Sequence, residues 1–340
     1  MDMIGQKIAE QVKSYCTKIG ADPMLVQGPG GNVSWKDGDV LWIKASGAWL
    51  AHASSKEIFI PVDLAHLRLE IANLNFSVAP KVLNDSRMRP SIETLMHALM
   101  PHKVVVHLHA VEILAYLVRT NPLKDFEKLI CNNIKWTLVD YFSPGADLAK
   151  AVFENLVSSP DVDIIFLKNH GIVIGGEDVK SVERRLNLIS LYLAKPVEKL
   201  SAQIEIHDSI VMIDGYIPCP DKELNQLATR NDLSLRLQAE WALCPDHIVF
   251  LGPKAEIIED SKNLIIGDRV THIKPPYIFV IGKGVYESLT ISAAQRTQLR
   301  CYYDILIRQD VDDRLASLNS KQISHLLSLD DEKYRIHFSR

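Results

Sequence analysis

Apolar positions recur along this chain in two rhythms. Helical spacing marks the N-terminal "MDMIGQKIAEQVKSYCTKIG", where Ile4, Ile8 and Val12 share a stripe, and later "LAHLRLEIANL", "AVEILAYLV", "ADLAKAVFENLV" and "EDVKSVERRLNLISLYLAKP". Short, densely apolar runs predict strands at "VLWIKAS", "EIFIPVD", "KVVVHLH" and "WTLVDY", with two more around a turn at Asn169–Gly171 in "VDIIFLKNHGIVIGG". "GPGGNVSWKDGD" reads as a glycine-rich turn. Pro90 opens a helix in "RPSIETLMHAL", with Ser91 and Glu93 in its first residues. Strands alternating with helices predict a layered α/β domain over residues 1–199, with a boundary at 196–203. The remainder, 200–340, predicts a smaller α/β region: strands at "DHIVFLG" and "PPYIFVIG", and a helix at "ISAAQRTQLRCYYDILIR".

Composition changes this picture little. The 340 residues are 47% hydrophobic and 24% charged, the balance of a soluble globular protein of two or three domains. A net charge of −4 argues against a nucleic-acid partner, which requires concentrated basic surface. The longest apolar stretches are broken by His, Glu or Lys before membrane length, and polar residues interrupt the N-terminal helix too often for a signal peptide. Five cysteines without a CxxC pattern fit a reducing compartment, the cytoplasm.

The candidate chemistry lies in "RPSIETLMHALMPHKVVVHLHA". Side chains alternate on a strand, so His107 and His109 share a side, with Leu108 opposite. Two imidazoles at the end of a buried strand need a shared partner: a metal ion, a carboxylate or water. His170 sits at the end of a second apolar strand. Three neutral imidazoles with an open position form a catalytic zinc arrangement. Glu93 precedes the histidine strand, where it serves either as a helix-end charge or, beside a cation, as a general base. His97 and His102 read as packing or surface residues. The turns in "GPGGNVS" and "KASG", with Lys44 alongside, can cradle an anion. Their spacing is not that of a P-loop, and no dinucleotide fingerprint follows a strand.

These segments together resemble the class II aldolase/adducin family. "GGNVS", "IKASG", "PSIETLMH", "HLHA", "VDYFSPGADLA" and "KNHGIVIGG" stand in the family's order over most of residues 1–200. The nearest likeness is to the aldolase half of bacterial rhamnulose-phosphate aldolase/dehydrogenase fusions, with "ALCPDHIVFLGP" similar to their later segments. The resemblance implies a layered domain whose central, mainly antiparallel sheet is flanked by helices. It implies a zinc-dependent aldolase that cleaves a ketose, expected as a 1-phosphate, by retro-aldol reaction through a metal-stabilised enediolate. His107, His109 and His170 would bind Zn²⁺ or another divalent metal, and Glu93 would be the acid/base. Asn32, Ser46, Gly47 and Ser91 match phosphate-loop positions; Ile92 stands in place of a second serine, so the resemblance implies a phosphate grip that is either weaker or shared with Lys44. Tyr141 matches a tyrosine that reaches a neighbouring subunit's site to protonate the leaving aldehyde, which implies a homotetramer. Family epimerases carry Asp in place of Glu93, which favours bond cleavage here. A sugar-phosphate decarboxylase, dehydratase or epimerase, and a non-catalytic adducin-like or sugar-phosphate-binding protein, remain alternatives, although adducin-type domains lack the histidine set.

Overall fold

The structure, a computed structural model, describes residues 3–195, 197, 212–259 and 274–338. The boundary expected at 196–203 falls, apart from residue 197, outside them, as does the side chain of Ile4.

Helix α1 (Met3–Gly20) precedes a meander of β1 (Asn32–Asp37), β2 (Val40–Lys44) and β3 (Phe59–Asp63). Next come α2 (Leu64–Ala72), α3 (Thr94–Leu99), β4 (Val104–Leu108), α4 (Val111–Leu117) and α5 (Pro122–Leu129). The unit continues through β5 (Trp136–Val139), α6 (Ala146–Ser158), β6 (Ile164–Leu167), β7 (Gly171–Gly176) and α7 (Val179–Leu193). The seven strands form one sheet in the order β3-β2-β1-β4-β7-β6-β5, antiparallel except for the β5–β6 pair. It is the helix-flanked, mainly antiparallel sheet expected. The segment "NVSWKD" is a correction: it is the interior strand β1 rather than part of a turn. Its backbone is paired on both sides, by β2 and β4, and those distant partners outweigh its turn-like composition.

The second region carries β8 (Tyr216–Pro218), α8 (Gln226–Thr229), α9 (Asn231–Ala239), α10 (Pro245–Leu251), β9 (Glu256–Ile258), β10 (Tyr277–Val280) and β11 (Gly284–Ser288). It ends in α11 (Ala293–Leu306), α12 (Ser320–Ser328) and α13 (Asp330–Phe338). Its sheet order is β8-β11-β10-β9. "DHIVFLG" is a second correction: it forms helix α10, not a strand. A four-residue apolar run suits either structure, and Pro245 at the first helical position decides for the helix.

Helix α4 joins the two regions because it is apolar on two faces. Ile113, Tyr116 and Leu117 pack into the core beneath the large sheet. Val111, Leu114 and Val118, at helical spacing, pack instead with Leu227, Leu299 and Tyr302 of the second region. Each fully buried aliphatic side chain is worth about 1.5–3 kcal/mol, so this stripe is a substantial attachment. A helix apolar all round is a buried one.

Candidate metal centre

Strand alternation delivers the first histidine. Val104, Val106 and Leu108 of β4 face the core shared with α1, α4 and α7, whereas Val105 packs in the core on the opposite face, which also holds Met96, Leu148 and Val152. His107 shares that opposite side, and His109 follows just beyond the strand's end. His170 closes the β6–β7 turn after Asn169, which takes a left-handed conformation with φ 55°. The amide of Asn169 donates to Leu243 O (2.9 Å) and Ala316 O (2.6 Å), fixing this turn to the second region. At Gly171 a Cβ would lie 2.3 Å from Leu108 O and 3.1 Å from ring carbons of His107 and His109. Only glycine lets the two histidine-bearing segments approach this closely.

The ligand nitrogens of His107, His109 and His170 lie within 4.8 Å of one another, all buried. His107 Nδ1 is 3.1 Å from Ile172 O, and His109 Nδ1 is 3.2 Å from Asp246 Oδ2. A carbonyl and a carboxylate accept only, so in each neutral ring Nδ1 carries the proton and Nε2 carries a lone pair. With both rings neutral, those two Nε2 atoms face each other at 3.1 Å with no proton to share. Glu93 lies across from them, its Oε2 3.4 Å from His107 Nε2 and its Oε1 3.3 Å from His170 Nε2. Glu93 Oε1 and His170 Nδ1 are buried without a hydrogen-bond partner among the described residues. Converging lone pairs beside an anionic oxygen repel one another, and a divalent cation is the group that suits them. The residues therefore fit a metal.

Ionisation agrees with this geometry. Burial pushes His107 well below the usual imidazole value and His170 down to about 4, so both rings are neutral near pH 7. For Glu93 burial acts upward, and the Asn32 amide that donates to Oε2 acts downward, favouring the carboxylate.

Glu93 is set by a relay that the sequence did not reveal. Asn32 Nδ2 donates to Glu93 Oε2 (2.7 Å) and to Ser91 Oγ (3.1 Å). His97, fully buried and held neutral by burial at about 3, contacts Asn32 Oδ1 through Nε2 and Ser34 Oγ through Nδ1 (2.7 Å). Because Nε2 must donate to the amide oxygen, Nδ1 accepts from the Ser34 hydroxyl, and the amide NH₂ is turned toward Glu93. His97 is thus a buried orienting residue. His102 pairs with Asp163 at 2.8 Å, away from the centre.

The five anion-loop candidates line one cavity with Glu93, His109 and His170. Two of them differ from expectation. Lys44 Nζ donates to Pro29 O (2.8 Å) and Ala48 O (2.6 Å), and burial followed by the nearby Arg335 lowers it to about 7. It braces the loop's backbone. Asn32 has both amide ends engaged, as above. Ser46, Gly47 and Ser91 remain facing the cavity, their segments tied by Ser46 N→Arg89 O (2.8 Å) and Ser91 N→Lys44 O (3.2 Å). Helix α13 roofs them: a Cβ on Gly47 would lie 2.9 Å from Phe338 Cβ, and Glu332 and Arg335 enter the lining. The cavity measures about 30 Å³.

Tyr141 also departs from expectation. Its ring packs with Ala242, Ile248 and Phe250 of the second region, and its hydroxyl is buried rather than reaching outward, with burial raising it to about 12. Helices α10 and α12 cover the corner where an outward path was expected. Asp246, Glu332 and Arg335 were missed altogether, because no motif marks them and their contacts lie far along the chain.

Residues 10–190 match the family described as Class II Aldolase and Adducin N-terminal domain. The chain is 30% identical over 237 residues to an uncharacterized oxidoreductase, YuxG, of Bacillus subtilis, covering 65% of this chain and 33% of that protein. It therefore spans about a third of that relative's length. It is 30% identical over 167 residues to an L-fuculose phosphate aldolase of Methanococcus maripaludis, covering 46% of this chain and 79% of that one. Among solved structures, the N-terminal class II aldolase domain of a conserved protein from Thermoplasma acidophilum is 28% identical with a TM-score of 0.45. That match covers 54% of this chain and 90% of the other.

The geometry predicts uptake of about one divalent ion per chain, held by the three imidazoles. Elemental analysis after dialysis against Zn²⁺ should show it, and His107→Ala or His170→Ala should lose most of it. Stoichiometric metal in a variant lacking all three histidines would refute the assignment.

Proposed function

The chain belongs to the class II aldolase and adducin N-terminal domain family, and on that premise we propose that it is a zinc-dependent aldolase. It cleaves a ketose phosphate, expected to be a 1-phosphate, by retro-aldol reaction. The observation that carries this reading is the buried Glu93 carboxylate set against three converging imidazoles. His107, His109 and His170 would hold the ion, which supplies a Lewis acid for negative charge developing on the ketose oxygens.

The remaining work falls to the chain's own groups. Retro-aldol cleavage removes a hydroxyl proton as the carbon–carbon bond breaks, giving an aldehyde and leaving the electron pair on an enediolate. That fragment then needs a proton on carbon. Glu93 is anionic and oriented by Asn32, so it can take a proton and return it. The Ser46 and Ser91 hydroxyls and the Gly47 backbone N–H would receive the phosphate. A cavity of about 30 Å³ holds water or an ion, whereas small-molecule sites run to about 300–1,000 Å³. Turnover on this reading requires α13 to move away from Gly47 and Ser46.

Glu93→Gln should leave the fold and metal content intact and lower kcat by about 10²–10⁴-fold on a cleaved ketose phosphate. A kcat near that of the unmodified enzyme would return Glu93 to a purely structural role. Ser46→Ala should raise KM for the phosphorylated ketose more than for its dephosphorylated counterpart; equal effects on both would show that the loop does not read phosphate. The family reading further makes the protein a homotetramer, which sedimentation equilibrium tests directly, a fully active monomer being the contrary result.

A further inference from the structure

We propose that Asp246 is a positioning residue for the metal ligand His109, so that the second region completes the metal centre. The inference rests on the metal reading above. Asp246 lies on α10, outside the residues that match the family. It is buried, and its Oδ2 stands 3.2 Å from His109 Nδ1. The carboxylate is itself fixed in place. Arg335 donates from Nη1 to Oδ1 (2.6 Å) and from Nη2 to Oδ2 (2.7 Å), a two-point grip that sets the carboxylate plane. Gln298 Nε2 adds a third protein donor to Oδ2 (3.2 Å) and also reaches Gln27 O (3.3 Å). Gln27 in turn donates to the backbone carbonyl of His109 (3.3 Å). Ring and backbone of His109 are therefore held by one connected set of groups.

The consequence is chemical as well as geometric. A carboxylate on Nδ1 keeps the proton there, leaves Nε2 free to face the other imidazoles, and makes that nitrogen a stronger donor to a cation. Arg335 acts differently. Its guanidinium is engaged by Asp246 and Glu332, so it holds the carboxylate without offering free charge to an anion.

The test is Zn²⁺ affinity of the full chain, measured by competition with a chromogenic chelator. Asp246→Asn should weaken binding about 10–100-fold, and Asp246→Glu should recover much of the loss. Arg335→Gln releases α13 and loosens the grip on the carboxylate, but leaves that carboxylate beside His109 with Gln298 still donating to it, and should cost less. Equal losses in Asp246→Asn and Arg335→Gln would mean that Asp246 merely anchors α13, and would overturn the proposal. So would unchanged affinity in Asp246→Asn while the unmodified chain binds Zn²⁺, a result that leaves the metal reading standing. Failure of the unmodified chain to bind any divalent ion would remove both. Should Asp246→Asn not fold, ¹⁵N-histidine NMR of the unmodified protein decides: His109 should carry its proton on Nδ1 with and without Zn²⁺, and a proton on Nε2 in the metal-free form overturns the assignment.

Discussion

Burying imidazoles and carboxylates together is the constraint on which the remainder of this structure depends. A charge removed from water is costly unless paired and hydrogen-bonded, and a buried polar group needs a partner. Here two carboxylates flank three imidazoles, and each is compensated from a different half of the chain. Glu93 is served by Asn32, behind which stand His97 and Ser34. Asp246 is served by Arg335 and Gln298. His107 and His170, buried at the site, stay neutral and keep their lone pairs available. Stability and chemistry are therefore set by the same groups, since removing either compensating partner leaves a buried charge exposed to repulsion.

The two regions act on the site as one body. Helix α4 leaves the histidine strand and immediately inserts between the large sheet and the second core. Asn169 hangs the His170 turn from Leu243 and Ala316. Gln298 bridges Gln27 and Asp246. A displacement of the second region thus reaches His109, His170 and Asp246 through separate hydrogen-bonded links, without passing through the sheet.

Much of the site was legible because it obeys local rules. Strand alternation put His107 and His109 on one side, and a second apolar strand ending in His170 repeated the pattern; the family's segments added Glu93 and the serine loops. What failed locally was decided elsewhere in the chain. "NVSWKD" looks like a turn by composition but is paired on both sides. "DHIVFLG" is too short for its apolar run to distinguish strand from helix. Tyr141 was expected to reach outward because nothing in "VDYFSPG" reveals that α10 and α12 pack over it. Asp246 and Arg335 carry no signature at all: a buried acid and a buried base are recognisable only once folding has brought each beside the other.

Placement of Arg335 on the last described helix also sets an order of assembly. A chain emerging from the ribosome exposes its N-terminal residues first, and domains fold as they emerge. All strands of the large sheet, the three histidines and Glu93 are present once residue 176 has appeared. Asp246 follows later, and Arg335 later still. Before α10 and α13 have emerged, the side of the cavity that Asp246, Glu332 and Arg335 line lacks its cover, so on the proposed reading the route by which an ion enters is widest then and narrows once those helices pack.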